Sequence, residues 1–391
     1  MIKVDLIYSN FLNSPDGASR FVKTMKGQKE LFANYGIDLR VMTPDLFSQR
    51  EFKEGSVAQP TFFKKIIRYL SKYSVTITKA RINQAYLIPA RCVLSYYNSL
   101  PDKGQIVAFQ EAFTAYEFLK NYNTNNQKVI LSLHSTGEMW STLAQSQPRI
   151  NSFLLKGFRD GVEKTLFNGC DKIGFVANLP RKHFCSLYNY NEEDTFYVYN
   201  GLASLPYVGR PKQTVLHLIC VGSLTKNKNH KGVLNAIAML PESLQQRITF
   251  TIVGDGTERA SLEESSKDLA SKVVFTGSSD EVNKHLGESN CYILFSKNEG
   301  LPISIIEGMR ASLPIIGTRV GGIPEQVIEG KTGFIVDVDE KQLADRIHYL
   351  VNHLVELEPM GKASYDYFIE KFTLEAMVKN YAEIYKNSKG K

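Results

Sequence analysis

The sequence predicts an α/β protein made of two doubly wound domains, each built on a parallel sheet. Its 391 residues suit two or three domains, and 43% hydrophobic with 22% charged residues is a globular composition. Short apolar runs alternate with helical stretches, and this alternation restarts after residue 205. Apolar runs stay below the ~18 residues that cross a bilayer. Asp5 also interrupts the N-terminal apolar pattern, so we expect neither a membrane span nor a secretory signal.

In the first half, an apolar strand is predicted over residues 2–8, followed by a helix over 18–35 that Gly36 ends. Further strands are predicted over 37–42, 105–109, 128–134, 172–177 and 195–199. Strands separated by helical segments indicate βαβ units and a parallel sheet.

In the second half, a helix over 231–240 follows the first strand. The strands are predicted over 215–221, 248–253, 272–275, 291–295, 314–317 and 333–336. The turn-rich stretch 200–211 separates the halves. We therefore predict domains over 1–205 and 206–372, with a C-terminal helix over about 373–391 that packs back on the first domain.

The five cysteines are odd in number and include no C-x-x-C pair, which predicts buried thiols in a reducing cytosol rather than disulfides or a structural zinc site. Charge is uneven. Residues 1–205 carry 25 basic and 17 acidic residues, whereas the remainder carries 22 and 23. The first half therefore favours an anionic partner such as nucleic acid, a phospholipid surface or a phosphorylated acceptor.

Residues 60–91 hold seven bases and no acid, with apolar residues at helical spacing. Such a segment is typical of an amphipathic helix on an anionic membrane. It is equally consistent with a helix that packs one face on its own domain and leaves a solvated basic face.

The strongest local signal is the pair Glu299 and Glu307, which follows the strand predicted over 291–295. Pro302 suits a first helical turn, whose free N–H groups form a phosphate site. Carboxylates repel phosphate but accept hydrogen bonds from hydroxyls, as on a ribose and a hexose. The alternative is a pair of surface glutamates at a helix start, where acids are common.

Two further loops follow predicted strands of the second half. Residues 222–232 carry three lysines that could neutralise a diphosphate, or form a solvated basic loop. Gly321 and Gly322 would allow backbone N–H groups close to a ligand, or serve a tight turn.

Taken together, these motifs resemble the retaining, GT-B fold glycosyltransferases of family 4, in which two Rossmann-like domains face each other across a cleft. The resemblance is dense over about 200–340. It rests on the glutamate pair, Gly-Gly-Ile-Pro-Glu at 321–325, Val-Gly-x-Leu…Lys-Asn at 221–229, Gly254-Asp255-Gly256, Phe275-Thr276-Gly277 and Asn200-Gly201.

The resemblance implies that Glu307 binds the ribose hydroxyls, Glu299 contacts the donor sugar and Lys228 pairs with the donor diphosphate. The diphosphate would be capped by the helix start at Gly300, Leu301, Pro302 and Ile303. Ser223 follows Gly222 where the family usually has an arginine, and this departure removes half of the usual cationic clamp.

In the first domain, the resemblance places a glycine-containing loop after the first strand. Residues 14–20 fill that position, and Gly17 would turn backbone N–H groups toward the diphosphate. An ordinary loop with a helix N-cap at Asp16 is the alternative. His134, at the end of a strand, occupies the position of a family histidine near the donor sugar; a structural histidine is the alternative.

Two other patterns are weak. Asp337 and Asp339 spell the D-x-D motif of the other glycosyltransferase fold, but they follow the last strand of the second domain and indicate a solvated turn, so no metal is expected. Residues 254–259 begin like a dinucleotide fingerprint but have Arg259 in place of the third glycine.

The sequence thus predicts a cytoplasmic, metal-independent, retaining glycosyltransferase that takes a nucleoside-diphosphate sugar, UDP-sugar being favoured, and no cofactor. Its acceptor would be a lipid-linked glycan in bacterial surface polysaccharide synthesis, with a peripheral membrane contact through 60–91 and no nucleic acid partner. The alternatives are a non-catalytic nucleotide-sugar-binding partner subunit and a nucleotide-sugar epimerase of the same fold.

Overall fold

The computed structural model describes residues 1–14, 17–47, 66–67, 69–122, 127–209 and 214–388. The chain divides into two compact units. The first unit is Met1–Val198 with Met377–Lys391, and the second unit is Tyr199–Ala376. The sequence put these divisions at 205/206 and 372/373.

The first unit is built on a parallel sheet of order β2-β1-β3-β4-β5-β6. Its strands are rich in β-branched and aromatic residues, and those in the middle of the sheet are buried on both faces, as parallel strands are. They are β1 (Ile2–Ile7), β2 (Ile37–Met42), β3 (Ile106–Phe109), β4 (Lys128–Leu133), β5 (Lys172–Phe175) and β6 (Thr195–Tyr197).

Helices of the first unit cover this sheet. The predicted helix over 18–35 is wrong in detail, since two helices stand there, α1 (Gly17–Gly27) and α2 (Lys29–Asn34). The break follows a glycine, which is a poor helix former. Further helices described before residue 198 include α3 (Val75–Ile82), α4 (Ile88–Ser99), α5 (Ala112–Asn121), α6 (Ser141–Ser146), α7 (Lys156–Gly169) and α8 (Asn178–Tyr188).

The second unit repeats the architecture with a parallel sheet of order β12-β11-β10-β7-β8-β9. Its strands are β7 (Leu216–Val221), β8 (Ile248–Val253), β9 (Lys272–Gly277), β10 (Cys291–Leu294), β11 (Ile315–Thr318) and β12 (Gly333–Val336). Its helices are α9 (His230–Ala238), α10 (Glu242–Gln245), α11 (Arg259–Ser266), α12 (Val282–Glu288), α13 (Ile303–Arg310), α14 (Glu340–Asn352) and α15 (Leu357–Lys371).

The last helix, α16 (Leu374–Asn387), begins in the second unit and ends in the first. Its tyrosines at 381 and 385 are fully buried. The Tyr381 ring lies 5.7 Å from Phe21 of α1, and the Tyr385 ring lies 6.4 Å from Phe32 of α2. The end of the chain is therefore part of the core of the first unit.

The cysteines are all unpaired, but the prediction that all are buried is wrong for Cys92, which is exposed on α4. No helix within the described ranges is both long and apolar enough to cross a membrane.

Candidate donor site and family

The strand order of the second unit creates a switch point between β7 and β10, because the chain winds away from β7 toward β9 and then returns to its other side. In open α/β sheets, ligands bind beyond the carboxyl ends of the strands at such a point. The loops that leave β7 and β10 are residues 222–229 and 295–302. These loops carry the lysines and the first glutamate singled out from the sequence.

Lys228 and Glu299 meet at this switch point. The Lys228 Nζ atom donates to Glu299 Oε1 at 2.7 Å, and the two side chains are only 19% and 12% exposed. The pair is 71 residues apart in sequence. A charged hydrogen bond with so little solvent is stronger than a surface ion pair. The structure thus brings together two predicted site residues.

Backbone contacts tie the two loops together beneath that ion pair. The Asn227 side-chain amide donates to the Asn298 carbonyl at 2.9 Å, and the Lys297 N–H donates to the Asn227 carbonyl at 2.8 Å. The reciprocal bonds hold the segment before Lys228 against the segment before Glu299. The position of the ion pair is therefore supported by one backbone hydrogen bond and one amide-to-backbone hydrogen bond, in addition to its own two side chains.

Gly321 supports the same loop from β11. Its φ is +54°, and a Cβ there would lie 1.7 Å from the Glu299 carbonyl oxygen. The neighbouring Gly322 N–H donates to the Gly300 carbonyl at 2.7 Å. Gly321 therefore allows a close approach of backbone to backbone, which is a stricter requirement than the tight turn considered from the sequence.

Two buried amides that sequence reasoning did not place in the site hold the loop before α13. Asn200 donates to the Leu301 carbonyl at 3.0 Å, and Gln326 donates to the Pro302 carbonyl at 3.1 Å. Asn200 stood in the sequence only as a marker of the resemblance. No local sequence signal identifies either amide, because each is recognised only by its partner in the folded chain.

The helix after this loop begins one residue later than predicted. Pro302 occupies the N-cap position, with φ −67° and ψ 120°, and α13 begins at Ile303. Leu301 and Pro302 are buried beneath the helix start. Glu307 is half-buried in the second turn of α13. The Ile305 N–H donates back to the Pro302 carbonyl at 3.2 Å, whereas the N–H groups of Ile303 and Ser304 precede any acceptor of the helix and are suited to an anion.

The loop after β7 is shaped by glycines of the next strand. A Cβ on Gly254 would lie 2.0 Å from the Gly222 carbonyl oxygen, and one on Gly256 would lie 2.4 Å from that of Leu224. Ser223 is exposed between these contacts. The Gly254-Asp255-Gly256 motif therefore shapes the candidate donor loop rather than a dinucleotide site.

A buried Cys–His pair lies below the lysine loop. His230 Nε2 is 3.1 Å from Cys220 Sγ, and both residues are nearly inaccessible. Burial, and then the nearby charge of Lys228, lower the pKa of His230 to about 4. Burial raises the pKa of the Cys220 thiol to about 12. Both groups are therefore neutral at physiological pH.

In the first unit, polar groups gather at the carboxyl ends of β1, β3 and β4. His134 Nε2 lies 3.0 Å from Gln110 Oε1, and the His134 ring lies 4.9 Å from Phe21. Glu111 accepts from the Ser9 N–H at 2.9 Å. The Gln110 amide nitrogen is buried and has no partner among the described residues. His134 was singled out from the sequence, whereas its neighbour Gln110 was not.

Gly17 is the first residue of α1 rather than part of a loop. It lies after the β1 loop at the switch point of the first sheet, where β1 neighbours β3. A Cβ on Gly17 would have open space around it. Asp16, with the alternative N-cap role, lies outside the described residues.

The D-x-D aspartates have structural partners. Asp339 accepts from the Lys341 and Gln342 N–H groups and caps α14, while Asp337 pairs with Arg319 at 3.2 Å. Within the described ranges, no group of three or more His, Cys, Asp or Glu side chains is arranged to hold a metal.

A family model described as glycosyl transferases group 1 matches residues 209–366, nearly the whole second unit. This part of the chain is therefore similar to the group 1 glycosyltransferase domain. The match covers the residues from the lysine loop through Glu307 and Gly321.

Curated proteins are similar in sequence to a larger part of the chain. The chain is 27% identical over 266 residues to the N-acetyl-alpha-D-glucosaminyl L-malate synthase of Bacillus anthracis, covering 66% of this chain and 67% of that one. It is 29% identical over 234 residues to the Vi polysaccharide biosynthesis protein VipC/TviE of Salmonella typhi, covering 54% of this chain and 40% of that one. The chain therefore spans well under half of the second relative.

Solved structures extend the likeness over both units. The crystal structure of Anabaena Alr3699/HepE in complex with UDP matches with a TM-score of 0.68 at 14% identity, covering 99% of this chain and 100% of that one. At this identity the likeness shows the fold. The two Rossmann-like units of the GT-B class, predicted from the sequence, are confirmed.

Proposed function

We propose that this protein is a retaining glycosyltransferase that moves a sugar from a nucleoside-diphosphate donor, with UDP-sugar favoured, to an acceptor hydroxyl. The observation that carries the proposal is the Lys228–Glu299 pair at the switch point of the group 1 domain. The pair puts one cation and one carboxylate on the loops beside α13, and we propose that this carboxylate accepts hydrogen bonds from sugar hydroxyls. A nucleoside diphosphate joined to a sugar needs both.

Binding of the donor would separate Lys228 from Glu299 and give each side chain a new partner. A diphosphate beside α13 would draw the Lys228 ammonium toward its oxygens, because it carries more negative charge than Glu299. Glu299 would then be free to accept hydrogen bonds from sugar hydroxyls. Glu307, in the second turn, would accept from the ribose. This divides the two carboxylates between the two polyhydroxylated parts of the donor.

Catalysis would consist of stabilising the leaving diphosphate. Negative charge grows on the diphosphate as the sugar leaves, and Lys228 with the N–H groups of α13 would stabilise it. The departing diphosphate would help to deprotonate the acceptor hydroxyl on the same face of the sugar, which retains configuration. The metal-binding role is not assigned to Asp337 or Asp339, since the first pairs with Arg319 and the second caps a helix.

The acceptor is proposed to be a lipid-linked glycan bound by the first unit at the cytosolic face of a membrane. The excess of basic residues in the first half supports an anionic acceptor such as a lipid diphosphate. The named role of the Salmonella typhi relative in Vi polysaccharide biosynthesis supports a surface polysaccharide. His134, beside Gln110 at the polar edge of the first sheet, stays a predicted catalytic residue.

A second candidate, a non-catalytic nucleotide-sugar-binding subunit, is favoured by one observation. Ser223 is exposed in the donor loop where the family usually has an arginine. Lys228 is partly buried in this loop, whereas Lys226 is exposed, so the loop offers one cation at the ion pair instead of the usual two. Binding without turnover would identify this candidate.

A thermal-shift screen with UDP, GDP and ADP sugars tests the proposal. A donor at ~100 times its dissociation constant should add ~2.7 kcal/mol to the free energy of unfolding. The stabilising donor is then supplied with lipid-linked acceptors, and the anomeric configuration of the product is read by NMR. No stabilisation by any nucleotide sugar would contradict the proposal, and an inverted product would contradict retention.

A further inference from the structure

In its first described part, residues 66–67 and 69–73, the basic segment of the first unit presents its apolar side chains outward. Ile67, Tyr69, Leu70 and Tyr73 are all exposed, whereas the polar Ser71 is completely buried. The Ser71 hydroxyl accepts from Arg81 at 2.6 Å. A helix packed by its apolar face on its own domain would show the reverse pattern. This first part of the segment therefore does not use its apolar face for the core, whereas Ile82 and Leu87 later in the segment do.

A second exposed apolar pair lies in a separate turn. Phe153 and Leu154 are adjacent, and they are 85% and 72% exposed. The next residue, Leu155, is fully buried in a small core cluster. The turn is fixed, because the Ser152 hydroxyl accepts from the Leu154 N–H at 3.3 Å and the Ser152 carbonyl accepts from Arg159 at 3.2 Å. Two large apolar side chains are thus held in water by an ordered turn.

The two segments belong to one surface. Arg149 donates from Nε to the Lys72 carbonyl at 3.1 Å, which joins the turn to the basic segment. Val75 packs against the same cluster as Leu155. Tyr73 and Phe153 therefore each lie two residues from a member of that cluster. We call this the apolar–basic surface, defined by Ile67, Tyr69, Leu70, Tyr73, Phe153 and Leu154 with the exposed bases Lys72, Lys79, Arg149 and Lys156.

Charge decides what this surface binds. Residues 60–91 contain no acid, and Asp160, beside the turn, is paired with Lys156 at 2.6 Å. A second copy of the chain in an isologous contact would place these bases against themselves. An anionic phospholipid surface offers opposite charge to the bases and hydrocarbon to the apolar side chains, while tyrosine hydroxyls stay at the headgroups.

We propose that the apolar–basic surface docks the first unit on an anionic membrane, and that Phe153 and Leu154 insert below the headgroups as its anchor. This inference rests on the proposed function in one respect: membrane docking would bring the enzyme to its lipid-linked acceptor. Its physical basis is independent of catalysis. Bases attract the protein to the surface, and the apolar pair supplies the part of the binding that salt does not screen.

Vesicle co-sedimentation of the full chain tests the proposal. Wild type should bind vesicles of phosphatidylcholine with phosphatidylglycerol, and should bind pure phosphatidylcholine vesicles much less. The double variant Phe153→Ser, Leu154→Ser should lose at least about tenfold in vesicle affinity. The matched control is Val355→Ser, which changes an 80% exposed apolar residue of the second unit and should bind like wild type.

A fluorescence measurement reports insertion directly. Phe153→Trp, read against wild type with its single tryptophan, should show a blue-shifted emission that appears with anionic vesicles and is quenched by brominated lipid. Unchanged emission, or vesicle binding by the double variant as tight as wild type, would overturn the proposal. So would a wild-type dimer that the double variant abolishes while vesicle binding persists.

UDP binding, measured by thermal shift in the same variants, separates this inference from the proposed function. Intact UDP binding with lost vesicle binding in the double variant supports the anchor. Vesicle binding that follows the pattern above in a protein that binds no nucleotide would still support the anchor while contradicting the proposed function.

Discussion

At the scale of single residues, the candidate site depends on one half-hidden ion pair. Removing either partner leaves the other charge in a place with little solvent. We expect Lys228→Met and Glu299→Gln each to lower the free energy of unfolding, and the double variant to lose less than the sum. The coupling should be ~1–3 kcal/mol in a urea-unfolding double-mutant cycle.

The matched control for this cycle is the exposed pair Lys362 and Asp366 on α15. Solvent and salt screen that pair, so its cycle should give a coupling close to zero. Equal coupling in the two cycles would mean that the site pair is an ordinary surface contact.

His230 makes a second residue-scale prediction, on pH. Its folded pKa of about 4 lies below the ordinary histidine value of 6.5, so between these values the unfolded chain binds a proton that the folded protein does not. Stability from this group is full above about pH 6.5 and falls as pH drops toward 4, by at most about 3 kcal/mol. Urea unfolding across this window should show a shallower pH dependence in His230→Asn than in wild type. Parallel curves would show that His230 is not held neutral by the fold.

At the scale of elements, the β11 turn should control the glutamate loop. Gly321→Ala should displace the Glu299 backbone, because the new Cβ would meet its carbonyl oxygen. Gly330→Ala is the control: its φ is +70°, similarly left-handed, but no atom lies within 4 Å of the new Cβ. It should cost ~1–2 kcal/mol of backbone strain alone. We expect only Gly321→Ala to weaken UDP-sugar binding measured by calorimetry, and equal UDP-sugar affinities in the two variants would contradict the assignment.

Alanine substitutions of Glu299, before α13, and of Glu307, in its second turn, should affect donor binding and turnover differently. Glu307→Ala should weaken binding of free nucleoside diphosphate by ~1.5–3 kcal/mol, since a charged partner of the ribose is lost. Glu299→Ala should leave that affinity nearly unchanged but lower turnover and sugar selectivity. Isothermal titration with UDP and with UDP-sugar measures both. If the two variants lose UDP affinity equally, the division of roles is wrong.

The elements themselves could be predicted from the sequence, because strand patterns and helix stops are local. The strand predicted over 291–295, for example, ends one residue from the observed end of β10. What could not be predicted is which strands are neighbours. Lys228 and Glu299 meet only because β10 lies beside β7. The order of strands in a sheet cannot be predicted from the local pattern of apolar residues.

The glycines show the same limit. Gly254 and Gly321 could be assigned to turns from the sequence, yet each is required by a backbone carbonyl from a distant segment. Asn200 and Gln110 were missed because a buried amide is recognised by its partners, and its partners are set by the tertiary fold. Part of the basic segment, residues 60–65, and the predicted N-cap at Asp16 lie outside the described residues.

At the scale of the whole molecule, the two units share one architecture and differ in charge and in surface. The second unit carries the family match and the ion pair at its switch point. The first unit carries the excess of basic residues and the apolar–basic surface. It also carries His134 among the polar groups at the carboxyl ends of its strands. The central claim is therefore that the donor nucleotide binds the second unit, on the loops that follow β7 and β10.

Hydrogen–deuterium exchange of the intact chain, with and without UDP, tests this claim most directly. Peptides covering 222–230 and 296–307 should gain protection when UDP binds, because their backbone N–H groups and loops become ordered around it. Peptides from α14 and α15 should exchange as before. Protection that leaves both loops unchanged and appears elsewhere in the chain would contradict the account.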